Sequence, residues 1–303
     1  EFIESNAARF EDELCEFLRI PSISADPERK GDMQRAADWV ADQFRRLKLE
    51  PEIIPTAGHP MVYAETENIP GAATALVYGH YDVQPADPLE KWDTPPFEPT
   101  RRDGNIVARG ATDDKGQLFT HLKGLEAWMN VEGRLPINLK FIIEGEEEVG
   151  SAGLEKFLHE HPEKLAANCV VISDGSQFAP GIPAVTYGLR GIAYYELHVI
   201  GPNRDLHSGS FGGSITNPIN ALATILNGLI DKDGRVTIPG FYDDVVPLTD
   251  RERREMAAMP FDEKEYYEQV GVDGAIGEYG YSALERRWAR PTFDCCGIWS
   301  GYQ

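Results

Sequence analysis

The stretch Leu139–Ser151 constrains the chain more than any other. A largely apolar run, Leu139–Ile143, passes directly into Glu144, Glu146, Glu147 and Glu148, with Gly145 among them and Gly150 and Ser151 behind. Apolar residues that end in turn residues read as a buried strand running into a loop. Carboxylates crowded at the end of a buried strand repel one another and lose hydration. They stay ionised only if a cation compensates them, or one keeps its proton at a raised pKa. The first outcome makes a metal site and the second a general acid or base. A solvated acidic loop is the third reading open on this stretch alone.

The rest of the chain narrows the choice. Its 303 residues, 42% of them hydrophobic, suffice for one large domain or two ordinary ones with a sizeable core. A formal net charge of −21 argues against a nucleic-acid binder and against an anionic membrane surface, and suits a protein that gathers cations in a cleft. No apolar run is long enough to span a bilayer. The start, EFIESNAARF, is unlike a secretion signal, although the missing initiator Met suggests trimming. Cys15, Cys169, Cys295 and Cys296 are too few and too scattered for a disulfide scaffold. Reduced thiols in a cytoplasmic protein are the expectation.

Read in order, the chain alternates helices and strands. Asn6–Ile20 places Phe10, Leu14, Phe17 and Leu18 on one helical face, and Asp32–Leu47 repeats the pattern with Ala36, Val40, Phe44 and Leu47. Thr74–Gly79 reads as a buried strand ending in His80-Tyr81-Asp82. A lone strand-end His is usually structural. A carboxylate two residues on, however, can hold a metal-bound imidazole in one tautomer. Gly104–Ala108 reads as a short edge strand, followed by Arg109–Gly116 and a helix from Gln117 to about Met129. Asp113 and Asp114 read as a helix N-cap, as cleft carboxylates, or as one of each. Ile137–Ile143 and Asn168–Ser173 are further buried strands, the second ending in Asp174-Gly175, with a helix over Ser151–His159 between them. Helices between strands predict a largely parallel α/β sheet, in which strand-end loops carry the ligand chemistry. Beyond Arg190-Gly191 the character changes. Ile192–Ile200 alternates like a half-exposed strand, a Gly-rich loop holds His207, Pro218–Ile230 reads as an apolar helix, and Asp250–Arg290 is charged and helix-rich. This predicts a second, inserted α+β domain, giving a division at 1–190 and 191–303.

Five motifs stand in fixed order: GHYDVQP at Gly79–Pro85, RGATDDKG at Arg109–Gly116, EGEEEVGS at Glu144–Ser151, ISDG at Ile172–Gly175 and DLHSG at Asp205–Gly209. The set resembles the M20 metallopeptidase family, most closely its branch of cytosolic non-specific dipeptidases and carnosinases. The resemblance runs from about Asn6 to the end of the chain. It implies a zinc-exopeptidase-like, mostly parallel sheet flanked by helices, with an inserted lid and dimerisation domain. It further implies two Zn²⁺ ions, or Mn²⁺ in some members, and hydrolysis of dipeptides or short peptides by a metal-bridging water. Carried over by motif, His80 and Asp174 would bind metal, Asp113 would bridge the two ions and Glu148 would hold the other ion. Glu147 would be the general base and Asp82 would orient His80. His207 would reach from a homodimer partner to the substrate oxyanion, its alternative being a turn-capping loop histidine. Glu144 and Glu146 are left as loop residues or residues behind the ligands. His59, His121, His159, His161 and His198 are left as surface or structural.

One family feature is missing. The resemblance implies a late His ligand, and no His follows His207. Both domains are therefore expected to be incomplete here, the natural protein longer, and one metal weakly held. Two other activities compete with the dipeptidase: an M20-type amidohydrolase removing acyl groups from amino acids, and a non-catalytic metal-binding homologue. A calcium module fits less well, since an imidazole ligand suits zinc.

Overall fold

In the computed structural model, which describes residues 1–179, 181–274 and 277–301, the chain begins with two amphipathic helices. α1 (Phe2–Leu18) buries Phe10, Cys15, Phe17 and Leu18, and Pro21 lies just beyond its end. α2 (Lys30–Arg46) buries Met33, Ala36, Ala37, Val40, Ala41 and Phe44, the recurrence of one helical face. Three strands follow: β1 (Glu52–Ile54), β2 (Met61–Glu65) and β3 (Thr74–His80). β4 (Thr100–Arg102) and β5 (Asn105–Val107) form a hairpin of their own. Then come α3 (Lys115–Glu132), β6 (Asn138–Glu144), α4 (Ala152–Glu160) and β7 (Cys169–Ile172).

The main sheet has the order β1-β2-β6-β3-β7. β3 pairs in parallel with β6 on one side and β7 on the other, as the strand–helix alternation predicts. β1–β2 and β2–β6 pair antiparallel, so the sheet is mixed. Connection length explains the first of these. Residues 55–60 join β1 to β2, and parallel neighbours need a crossover of a dozen or more residues.

Successive strand residues face opposite ways, and the core divides accordingly. Val62, Ala64, Val77, Phe141 and Ile143 point to one face and pack with Phe17, Val40, Phe44, Leu118 and Leu122 of α1, α2 and α3. Met61, Tyr63, Leu76 and Ile142 point to the other face and meet Phe157 of α4 and Leu165. Helical layers thus cover both faces of the sheet over β2, β6 and β3, while the edge strand β7, read from sequence as buried, is exposed.

Residues 1–184 form one compact unit and 185–303 another. In the second, α5 (Ser208–Phe211) precedes α6 (Pro218–Gly228), capped by Asn217, whose side chain accepts from the Ile219 and Asn220 N–H groups. α7 (Asp250–Ala257) and α9 (Ala283–Ala289) each start with a capping box, Thr249 with Glu252 and Ser282 with Glu285. α8 (Glu263–Glu268) lies between them. The strand expected over Ile192–Ile200 is not formed. Ile192, Tyr195 and Ile200 are exposed, and no strand pairs with this segment among the described residues. An alternating sequence buries a face only when a partner strand satisfies its backbone. Among the described residues no helix is long and apolar enough to cross a membrane.

Candidate metal centre

Strand register builds the site. His80, last residue of β3, pairs with Glu144, last residue of β6. Ile172, last residue of β7, pairs with Tyr78. Asp174 therefore emerges level with His80, while the acidic turn after β6 emerges on the other side. Three parallel strands end together, and their loops meet over the edge of the sheet.

His80 is fully buried. Its Nδ1 lies 3.1 Å from the Asp82 carbonyl oxygen and 3.3 Å from Asp82 Oδ1. Its Nε2 is buried and makes no hydrogen bond. That nitrogen faces three carboxylates: Asp113 Oδ1 at 3.1 Å, Asp174 Oδ2 at 3.7 Å and Glu147 Oε2 at 4.0 Å. His80, Glu147 and Asp174 each offer a ligand atom within 4.8 Å of the others. An orphaned ring nitrogen among converging carboxylates is the donor set of a divalent transition metal, with Nδ1 held by its neighbours as metal-binding histidines require. The residues present fit such an ion.

The other residues support this group. Asp114 sits at the start of α3, yet makes no side-chain cap. Its carboxylate turns inward and accepts the His80 backbone N–H at 3.0 Å. Asp113 is left exposed toward the cleft, so one aspartate supports β3 and its neighbour faces His80. The tight turn before α3 needs Gly116, where a Cβ would lie 1.9 Å from the Ala111 carbonyl oxygen. Gly116→Ala should cost about 3 kcal/mol, the upper end for overpacking, and displace Asp113. A denaturant melt beside a metal titration reads both effects.

Asp82 is fully buried and does more than touch His80. Its two oxygens accept the backbone N–H groups of Glu147, at 3.3 Å, and Glu148, at 3.1 Å. Glu148 itself accepts from Gln84 Nε2 at 2.6 Å, a contact the sequence reading missed. Glu144 is buried and accepts from Tyr78 Oη at 2.7 Å and Ser151 Oγ at 2.8 Å. Glu146 is buried beside Thr56. His207, in the second unit, is exposed and caps α5, its Nδ1 accepting the Gly209 N–H at 3.0 Å. His59 bonds to the Ser24 carbonyl and His121 to Ser173, which are structural roles.

The crowded carboxylates shift titration. Burial pushes the Asp114 carboxyl up from 3.8 to about 7, against the His80 N–H that opposes the shift. Burial also raises Glu144, Glu147 and Glu148. Burial alone would lower His80, but the Asp82 hydrogen bond and the surrounding negative charge carry it from 6.5 to about 10. A raised folded pKa means stability that is present below the unfolded value and lost as pH rises through the folded one. Asp114 thus loses its contribution between about pH 4 and 7. Above pH 7 the loss from His80 is opposed by Lys115, which burial lowers from 10.5 to about 7 and whose contribution grows as pH rises toward 10.5. The metal-free protein should therefore lose on the order of 1–3 kcal/mol from pH 5 to 7. Added divalent metal should reverse the trend, because it displaces these protons. Thermal melts across that range, with and without chelator, read the sign.

These features define an α/β fold with a candidate metal centre at its strand ends, and sequence comparison assigns the chain to a family. Residues 76–285 match the model of peptidase family M20/M25/M40, and the chain belongs to that family. It is 36% identical to a Cys-Gly metallodipeptidase of Schizosaccharomyces pombe, over 98% of this chain and 65% of that protein. It is 34% identical to the human Beta-Ala-His dipeptidase, over 98% of this chain and 62% of that protein. Among solved structures, an M20 family metallo-carboxypeptidase of Sulfolobus solfataricus superposes with a TM-score of 0.76 at 33% identity, over 97% of this chain and 66% of that one. The chain thus spans a little under two thirds of the length of these curated relatives.

Proposed function

We propose that this chain carries the metal-binding part of a dinuclear zinc dipeptidase, with manganese as the alternative metal. The observation that carries the reading is His80 Nε2, buried, unbonded and facing Asp113, Asp174 and Glu147. His80 and Asp174 would hold one ion, Asp113 would bridge, and Glu148 would hold the second. The ions, when bound, would supply Lewis acidity toward a peptide carbonyl and acidify an attacking water. Glu147 would serve as the general base, its carboxylate accepting a proton from the attacking water and returning it to the leaving amine. Without metal, burial raises its pKa against the pull of His80, with Glu148, Asp174 and Asp82 adding to the rise; bound cations would pull it back down and keep the carboxylate ionised. Asp82 orients His80 and holds the turn that carries Glu147.

The two curated relatives named above are dipeptidases, of Cys-Gly and of β-Ala-His, and the similar solved structure is a metallo-carboxypeptidase; all three names support a peptide as the substrate over an N-acyl amino acid. His207 fits the oxyanion role in one respect. With Nδ1 accepting from Gly209, a neutral ring carries its proton on Nε2, the nitrogen left to donate. In this reading residues 191–303 begin a lid and dimerisation domain, and His207 acts from a homodimer partner in a cytoplasmic enzyme.

The test is elemental analysis of the full-length protein beside its Glu148→Ala variant, with dipeptide and N-acyl amino acid hydrolysis followed in parallel. Two zinc or manganese ions per chain and dipeptide turnover, both reduced in the variant, are expected. Bound metal without hydrolysis of either substrate class would make the protein a non-catalytic homologue. Preference for N-acyl amino acids would make it an amidohydrolase.

A further inference from the structure

Glu146 stands inside the acidic turn, yet it points away from the metal group. It is nine-tenths buried, and among the described residues no ion pair compensates it, a costly place for a carboxylate. Its Oε2 lies 3.1 Å from Thr56 Oγ1, on the loop joining β1 to β2. Two glycines make the room. A Cβ at Gly58 would lie 1.9 Å from Glu146 Oε1, and a Cβ at Gly153, in α4, would lie 2.3 Å from Oε2. A methyl at either position would therefore displace the carboxylate from where it now lies. A cavity of about 240 Å³, lined by Ile54, Met61, Phe157 and Glu146 among others, opens beside it. Loss of the side chain would thus leave free space rather than a neighbour ready to take its place.

The backbone of Glu146 holds the other end of the same device. Its carbonyl accepts the N–H groups of Val149, at 3.1 Å, and Ser151, at 2.8 Å, and so closes the turn that presents Glu147 and Glu148. Asp82 grips that turn from the side of the metal group, through the Glu147 and Glu148 N–H groups. Glu146 grips it from the far side.

We propose that Glu146 is a positioning residue: its side chain, locked into the slot made by Thr56, Gly58 and Gly153, sets where Glu147 and Glu148 stand. The proposal rests on the reading of Glu147 and Glu148 as base and ligand. It concerns how they are held, not what they do.

The test uses the full-length protein and the variants E146A, E146Q, G153A and the double variant E146A/G153A. Three quantities are measured: zinc affinity by competition with a chromophoric chelator, amide hydrogen exchange at residues 147–151, and kcat and KM for a dipeptide. E146A should weaken zinc binding roughly 10–100-fold, the range for residues that support a ligand from behind. It should also speed exchange in the turn and lower kcat with little change in KM. E146Q keeps the shape and an acceptor for Thr56 and should recover most of each quantity. G153A should reproduce the E146A defects by filling the slot from the other side. In the double variant no Glu146 side chain remains to be displaced, so the added methyl should cause no further loss. Additive losses in the double variant, or an E146A protein with unchanged exchange and zinc affinity, would overturn the proposal. Should E146A fail to fold, G153A and E146Q still decide it. If exchange and zinc affinity respond as expected while no variant, nor the parent, hydrolyses a dipeptide, the positioning role stands and the dipeptidase reading falls.

Discussion

Glu147→Gln is expected to lower dipeptide hydrolysis by about 10²–10⁴-fold and to leave the fold and the bound metal in place. The substitution keeps size and shape. The turn is held by the Glu147 backbone N–H, which donates to Asp82 Oδ1, and the side chain takes no part in that bond. What is lost is a carboxylate able to accept a proton. The loss should fall on kcat rather than KM, because proton transfer matters in the transition state and not in substrate binding. The acidic limb of the kcat/KM profile should lose the ionisation that Glu147 contributes. One feature of the geometry makes this experiment decisive. Glu147, not Glu148, lies in the group with His80 and Asp174. A base beside the metals and a direct ligand are different roles for one residue. If the Gln variant loses zinc together with activity, Glu147 is a ligand and the base must be sought elsewhere.

The strand ends that build this site were legible in the sequence because their physics is local. Thr74–Gly79 and Ile137–Ile143 are largely apolar runs that stop at His80 and Glu144, and such runs read as buried strands at once; the strands formed are Thr74–His80 and Asn138–Glu144. β1 and β2 left no such trace. Pro51, Pro55 and Pro60 flank them, and β1 has only three residues, too few for a periodic signal. What identifies them as strands is pairing with each other and with β6, which is tertiary information. The site divides in the same way. Residue types at strand ends pointed to His80, Asp174 and the acidic turn. The side chain of Asp114 was not readable, since a residue at a helix start favours capping and only the packed β3 end offers it the His80 N–H instead. Lys115 is a further case. Its ammonium is buried and donates to the Phe17 and Ile20 carbonyls at the end of α1, an arrangement that needs two helices brought together. The segment Ile192–Ile200 shows the converse, a strand-like pattern without a partner.

Asp82→Ala should be the most damaging single change outside the ligands themselves, for a reason its motif alone does not give. Beside a metal-binding histidine, an aspartate is read as the group that fixes the imidazole. Here His80 Nδ1 also has the Asp82 backbone carbonyl at 3.1 Å, which the substitution keeps, so the tautomer of His80 should survive. The turn should not. Asp82 is buried, and removing its carboxylate leaves the Glu147 and Glu148 N–H groups without their acceptor. Each orphaned group costs about 1–3 kcal/mol, so a loss of about 3–5 kcal/mol in stability is expected. Asp82→Asn should fall between. Its single amide oxygen can accept one of the two N–H groups, while its NH₂ opposes the other. In the proposed two-ion centre, an ion on the Glu148 side should be lost first, and one at His80 and Asp174 should weaken less. A two-site zinc titration beside a denaturant melt separates the two contributions. Equal weakening of both ions would return Asp82 to the simpler role of orienting His80, whereas preferential loss on the Glu148 side would establish it as the residue that joins the histidine and glutamate halves of the centre.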